Sequence, residues 1–397
     1  MSGKGQMYIK TFSVKCDDAS AIASEINTLF SKNKPSLVIG YGNADLPFQE
    51  LRQTLNNLAT PFFVSSSCRG ALLCDEGIVD AECNLALFCV IDEGGAFGVG
   101  SADSVQCSSF EAGAKALQHA LDDAGRPYES PTLIWCALPP GDEEKILEGF
   151  ASVVGTQVPI FGGSMADNTV SGNWNTITRT SCGSQTVAVA VMYPSTPLGL
   201  SYSSGYKPTE TVFKATKAQG RQVHQLNDYR ASAVYNEATS NLIASQLDGG
   251  QILGLTSSAP LGRPVALDNG AVNYLLCHPD SVDANGALHV FSEVKEGEEL
   301  VLMEGSISSL IARAERVINN AIMLLPEGKK PVGVLMIYCA GCRLMVGDEI
   351  NFMLYSLQEK FPSLPICGPF TFGEQGRFLD GKNRHGNLMI SAVVFSQ

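Results

Sequence analysis

Basic residues are scarce in this sequence, and nowhere do they gather into a run. Lysine and arginine total 27 against 40 aspartate and glutamate, which leaves a formal net charge of −13 on 397 residues. An acidic chain repels phosphate backbones and anionic lipid surfaces, so nucleic acid and membrane are disfavoured partners. Long apolar runs are missing too. None approaches the ~18 residues of a membrane span, and the stretch Met1–Tyr8 has no apolar core of a secretory leader. A soluble cytoplasmic protein is expected.

Catalytic signatures are also absent. There is no Walker A sequence, no GxGxxG after a strand and no GxSxG elbow. Gly162-Gly-Ser-Met-Ala166 lacks the second glycine of that elbow, which leaves Ser164 weakly supported as a nucleophile. The five histidines show no HExxH or other ligand spacing. Cys339-Ala-Gly-Cys342 is a lone CxxC without the second pair that zinc usually needs. A thioredoxin-like role would place such a motif at the opening of a helix, whereas here it is expected to follow a strand and stay outside one. No catalytic residue, metal or cofactor is therefore expected.

What is present is a core and a repeat. Hydrophobic residues make up 45% of the chain, enough for a large interior and, at this length, for two domains. Several of the twelve cysteines lie inside apolar runs, such as Cys89 in Leu85–Val90 and Cys136 in Leu133–Ala137, where a thiol acts as a small hydrophobe.

The segment Val158-Pro-Ile-Phe-Gly-Gly-Ser-Met-Ala-Asp-Asn168 has a weaker echo in Leu364-Pro-Ile-Cys-Gly-Pro-Phe-Thr-Phe-Gly-Glu374. Each reads as a buried strand, led by proline, opening into a polar turn. A third copy is Pro61-Phe-Phe-Val64. Around them, helix–strand–helix–strand units are visible near residues 20–67, 111–168 and 306–374. In the first of these, Ile22–Phe30 is the expected opening helix. Asn84–Ile91, Thr186–Tyr193 and Leu388–Phe395 follow as closing strands. Gly141-Asp-Glu143 and Gly347-Asp-Glu349 hold the same place in two units. There Asp is expected to cap a helix and Glu to complement its dipole, in preference to acid–base chemistry. A boundary is expected near residue 205. Beyond it come strand-like runs at 212–217, 222–226 and 272–276, and a helix at Ala231–Leu242. The expected fold is α/β: tandem domains with mixed, largely antiparallel sheets flanked by helices, built from repeated units.

An ordered set of short motifs resembles the FIST family over nearly the whole chain. It runs Ser65-Ser-Ser-Cys-Arg-Gly70, Gly162-Gly-Ser-Met-Ala-Asp167, Gly205-Tyr-Lys-Pro208, Asn227-Asp-Tyr-Arg-Ala231, Cys339-Ala-Gly-Cys-Arg343, Gly368…Gly373-Glu374 and His385-Gly-Asn387. The resemblance implies a FIST N-type domain over 1–205 and a FIST C-type domain over 206–397. It also implies a sensory, signal-transducing role with an amino-acid-like ligand and, without an output domain here, a separate signalling protein or a homo-oligomer as partner. The sequence departs from the family at four places. Gln375 stands where isoleucine is usual, Arg343 is displaced by Cys342, His278 replaces an arginine, and Gly386 splits the closing His–Asn pair.

The candidate ligand site is a cleft near the strand-end glycine loops. Arg69 and Arg343 could fork onto a carboxylate. Asp167 and Glu374 could accept from an ammonium group. Gly162, Gly163, Gly368 and Gly373 would admit close backbone approach, and Ser164, Asn168, Cys339 and His385 complete the set. The loops Gly163–Asn168 and Gly368–Glu374 are expected to share one cleft with Arg343 nearby. Two other readings stay open: an enzyme using Cys68 or Cys339 as nucleophile, and an interaction scaffold like that of FIST proteins fused to an F-box.

Overall fold

The computed structural model describes residues 6–15, 28, 34–80 and 84–397. The expected helix Ile22–Phe30 falls, apart from residue 28, outside the described residues.

Proline sets the register of the fold. It has no N–H to donate, so the start of a strand is one of the places in a sheet that suit it. Its carbonyl is still free to accept. Pro61, Pro159 and Pro365 accept from the amides of Val38, Ile134 and Val334 at 3.0, 2.9 and 2.8 Å. Each bond starts a parallel pair: Leu37–Asn43 with Phe62–Ser67, Leu133–Leu138 with Ile160–Ser164, and Pro331–Cys339 with Ile366–Thr371. The first strands of these pairs are buried along most or all of their length. They therefore read as continuous apolar runs without alternation.

The remaining strands of each sheet pair antiparallel. A closing strand lies beside the first strand of each parallel pair, and an opening strand lies outside it. The opening strands are Tyr8–Lys15, Ala96–Asp103 and Leu198–Ser204; the closing strands are Asn84–Ile91, Thr186–Tyr193 and Met389–Ser396. The chain is thus a tandem α/β protein built from repeated units, with mixed, largely antiparallel sheets flanked by helices.

Helices Ser109–Asp123 and Ile307–Met323 hold equivalent places, and each starts at a serine. Ser108 and Glu111 form a reciprocal capping box, and Ser306 and Ser309 do the same. Between the opening strand and the helix of the third unit the chain inserts a further nine-stranded antiparallel sheet, spanning Lys207–Glu304. In this insert the helix expected at Ala231–Leu242 spans Ala231–Ala238. Thr239 ends it, with its hydroxyl turned back onto the Tyr235 carbonyl.

Each six-stranded sheet is finished by a hairpin from a different unit. The hairpin at 176–183 extends the first sheet, the hairpin at 374–386 the second, and the hairpin at 71–79 the third. The three units therefore exchange ribbons around a closed ring. At its centre the inner faces of all three sheets share one core, in which Trp135 donates to the Tyr41 hydroxyl at 2.7 Å. Among the described residues no helix is long and apolar enough to cross a membrane.

Candidate functional site

The three parallel pairs end at matching positions. Ser67 lies opposite Asn43, Ser164 opposite Leu138, and Thr371 opposite Cys339. All three hydroxyls are buried, and a buried hydroxyl needs a partner. Ser67 Oγ donates to the Gly70 carbonyl and accepts from the Phe370 amide. Thr371 donates to Glu374 Oε1 at 2.8 Å. Ser164 donates to Glu143 Oε1 at 2.6 Å.

The loops Gly163–Asn168 and Gly368–Glu374 do lie together. They meet as paired backbone: Glu374 is opposite Gly163, and the Ser164 amide donates to the Gly373 carbonyl at 2.7 Å. The glycines serve this contact. A side chain at Gly163 would strike Thr371, and one at Gly373 would strike His385. At Gly162 or Gly368 it would meet the carbonyls of Cys136 or Met336.

The charged residues of the expected set are mostly engaged. Asp167 accepts from the amides of Thr169, Val170, Ser171 and Asn173. Burial alone would raise its carboxyl, but these amides hold it below the usual carboxylate range. Glu374 is fully buried and accepts from the Met389 amide at 2.9 Å. Burial, and next Cys339, push its carboxyl well above the usual range, so it is a neutral acid. Asn168 accepts from the Arg69 amide and donates to Asn43. Arg343 lies over the Phe370 ring at 5.8 Å and donates to the Gly347 carbonyl. Burial, and then the nearby Arg69, lower its guanidinium.

Two readings of the sequence are corrected here. Cys339 does open a helix, as the N-cap of Ala340–Val346. Both thiols are nevertheless buried. Burial pushes Cys339 well up and Cys68 up to about 11, far from a reactive thiolate. The capping role assigned to the Asp–Glu pairs is also absent. Asp142 stands at the N-cap of Glu143–Val154 without bonding to it, and accepts from Ser109 instead. Asp348 and Glu349 lie in a single 3-10 turn with no side-chain cap bond.

Glu143 is instead the centre of a buried charged network. Its relative exposure is 1%. Its Oε2 meets Arg221 at 2.6 Å, Glu144 meets the same guanidinium at 2.5 Å, and the Glu293 amide donates to Glu144 at 2.9 Å. Burial acts to raise both carboxyls. His385 and Arg221 overcome it, holding Glu143 below the usual range and Glu144 at about 2.

The contacts continue beyond Glu143. Because Ser164 donates to Glu143, its oxygen accepts from the Gln375 amide at 3.2 Å. The same amide donates to His385 Nδ1 at 3.0 Å, and His385 Nε2 faces the Phe291 carbonyl at 3.1 Å. His385 thus joins the chain of contacts, with Nε2 3.9 Å from Glu143 Oε1. Among the described residues, Glu143, Glu144 and His385 place their donor atoms within 4.8 Å of one another, close enough to share a cation. Arg221 already provides one there.

Of the sequence candidates, Ser164 and His385 join this network. Glu143, Glu144, Arg221 and Gln375 were not anticipated as its members. Gln375 had left a signal as a departure from the family pattern.

Beside the network is a cavity of about 560 Å³. The helix Glu143–Val154 supplies Glu144, Leu147 and Ala151. The hairpin of the third unit supplies Arg377, Lys382 and Arg384, and the insert supplies Arg263 and Leu275. A second cavity of about 280 Å³ shares Arg263, Lys382 and Arg384 with it.

The histidine that stands in place of the family's arginine, His278, is a structural residue. It faces the Leu253 carbonyl at 3.1 Å, and burial pulls it down to about 4.

No curated protein matches the sequence. Among solved structures, the crystal structure of a cyanuric acid hydrolase from A. caulinodans is 10% identical. The match covers 61% of this chain and 88% of that one, with a TM-score of 0.29, and a likeness of that size carries no argument. The FIST N domain matches residues 36–229 and the FIST C domain residues 231–377. The chain therefore belongs to the FIST family, whose domains are generally known as sensory modules.

Proposed function

We propose that this protein is a sensor for a small organic acid or amino-acid-like metabolite, bound in the 560 Å³ cavity. One observation carries the reading: the walls come from the second unit, the exchanged hairpin of the third, and the inserted sheet. A ligand there touches three separately built parts, and the volume falls in the range of small-molecule sites. The buried network ties the same parts together, since Arg221 of the insert clamps Glu143 and Glu144 of the second unit. Occupancy therefore biases how the insert sits on the ring, which is a signal that a partner protein or a second copy could read.

The test is a thermal-shift screen of amino acids and small organic acids, followed by hydrogen exchange with any hit. A ligand that binds only the native state raises the melting temperature with dose. Protection should then appear together in the hairpin Glu374–Gly386 and in the strands Leu261–Ala266 and Val272–Cys277. A screen without a dose-dependent shift, or protection confined to other segments, overturns the reading.

A further inference from the structure

The charges around the cavity are unevenly matched. Three carboxylates face it, and each already has a cation of its own. Glu144 is held by Arg221 at 2.5 Å, Asp380 by Arg384 at 2.5 Å, and Glu148 by Lys145 at 3.0 Å. The remaining cations have no such partner. Among the described residues no carboxylate lies within 4.0 Å of Arg263, Arg377 or Lys382. Arg377 donates to the backbone and side chain of Gln157. Arg263 donates only to the carbonyls of Glu293 and His385, at 2.8 and 3.5 Å, and its Nε–H is buried without an acceptor. In a protein of net charge −13, cations without a close ion pair make this lining a site for an anion. Leu147, Ala151, Ile160 and Leu275 add apolar lining to the same cavity.

Resting on the cavity reading above, we propose that the ligand is an amine-free organic anion, a 2-oxo carboxylate with an apolar body. A carboxylate finds cations in need of a counterion, and a guanidinium can fork onto it. The 2-oxo group leaves the acid without an amine, so no ammonium enters beside these cations. An α-ammonium group would find only carboxylates that are already paired, and burying it beside Arg263 and Lys382 adds like-charge repulsion. The apolar body lies against the leucines and Ile160.

The proposal is tested by calorimetric titration of the full chain with matched pairs. These are 4-methyl-2-oxopentanoate against leucine and phenylpyruvate against phenylalanine. In each pair the oxo acid should bind at least about tenfold more tightly, because the amine meets no free acceptor. Lys382→Met, on an exposed side chain, should weaken oxo-acid binding at least about fivefold, and Arg263→Met more, if that variant folds. Should the amino acid bind as tightly as its oxo acid, or more so, the ligand class is wrong while the cavity reading stands. Should neither member of either pair bind, and no other small acid or amino acid shift the melting temperature, the cavity reading falls and this proposal with it. Oxo-acid binding unchanged in Lys382→Met would place the anion elsewhere and overturn the proposal alone.

Discussion

Glu143 and Glu374 are buried alike, at 1% and 0% exposure, yet they end in opposite states. Glu143 has a guanidinium at 2.6 Å, a serine hydroxyl and the Gly141 amide, and it stays ionised. Glu374 has a hydroxyl and an amide but no cation, and it keeps its proton. Burial works on both in the same direction, so His385 and Arg221 beside Glu143 make the difference. The ionised carboxylate belongs to the network beside the cavity, and the neutral one closes the core between two strand ends. Depth alone therefore does not mark a site here; a charge held at depth by a distant part of the chain does.

Removing the cation breaks the contrast most severely. Arg221→Met leaves two carboxylates near one another without their counterion, and the loss of stability should be about 3 kcal/mol, as when one partner of a buried pair is deleted. Urea unfolding measures it, and the added change Glu143→Gln should restore part of the loss. A single variant as stable as the parent would show that Arg221 does not hold the carboxylates.

Acid should act next, through Glu144. Its carboxyl is lowered from 4.5 to about 2 in the folded chain. Its contribution is then complete above about pH 4.5 and disappears as pH falls towards about 2. Glu144→Gln should flatten that limb of the stability curve. An unchanged limb would place the acid sensitivity elsewhere.

Glu374→Gln should act in the opposite sense. The folded carboxyl stays neutral, while the unfolded one ionises above about pH 4.5, so the native protein loses stability as pH rises through that range. The glutamine variant escapes this loss. Its melting temperature should exceed the parent's by a few degrees at neutral pH, with the gain vanishing below about pH 4.5. A gain that persists in acid would point to packing instead. The smallest effect is expected from Cys342→Ser, which should lower stability by about 1 kcal/mol through a less well-matched buried group. Metal analysis should find no stoichiometric zinc in either protein.

The ring was legible to the extent that its signals are local. Three prolines, each ahead of an apolar run, marked strands that the structure pairs in parallel, and helical spacing placed the helices Ser109–Asp123 and Ile307–Met323. The hairpin exchange was not legible. Gln375 pairs with Gly162, more than two hundred residues away, and no spacing encodes that partner. The network was missed for a similar reason. A glutamate in the first turn of a helix ordinarily faces water, and only the arrival of Arg221 from the insert, with Ser164 and His385, turns Glu143 inward. Asp167 misled in the other direction: its loop amides consume the charge that was expected to meet a ligand.

The exchanged ribbons have a consequence for how the molecule can come apart. A single unit cut out of the chain would lose the hairpin that completes its sheet, while its own hairpin would have nothing to join. Both would then be raw strand edges, the kind that recruit other chains. Because the exchange closes on itself, no unit is first or last in this dependence. Loosening one seam withdraws support from all three, so the ring should melt in one cooperative step.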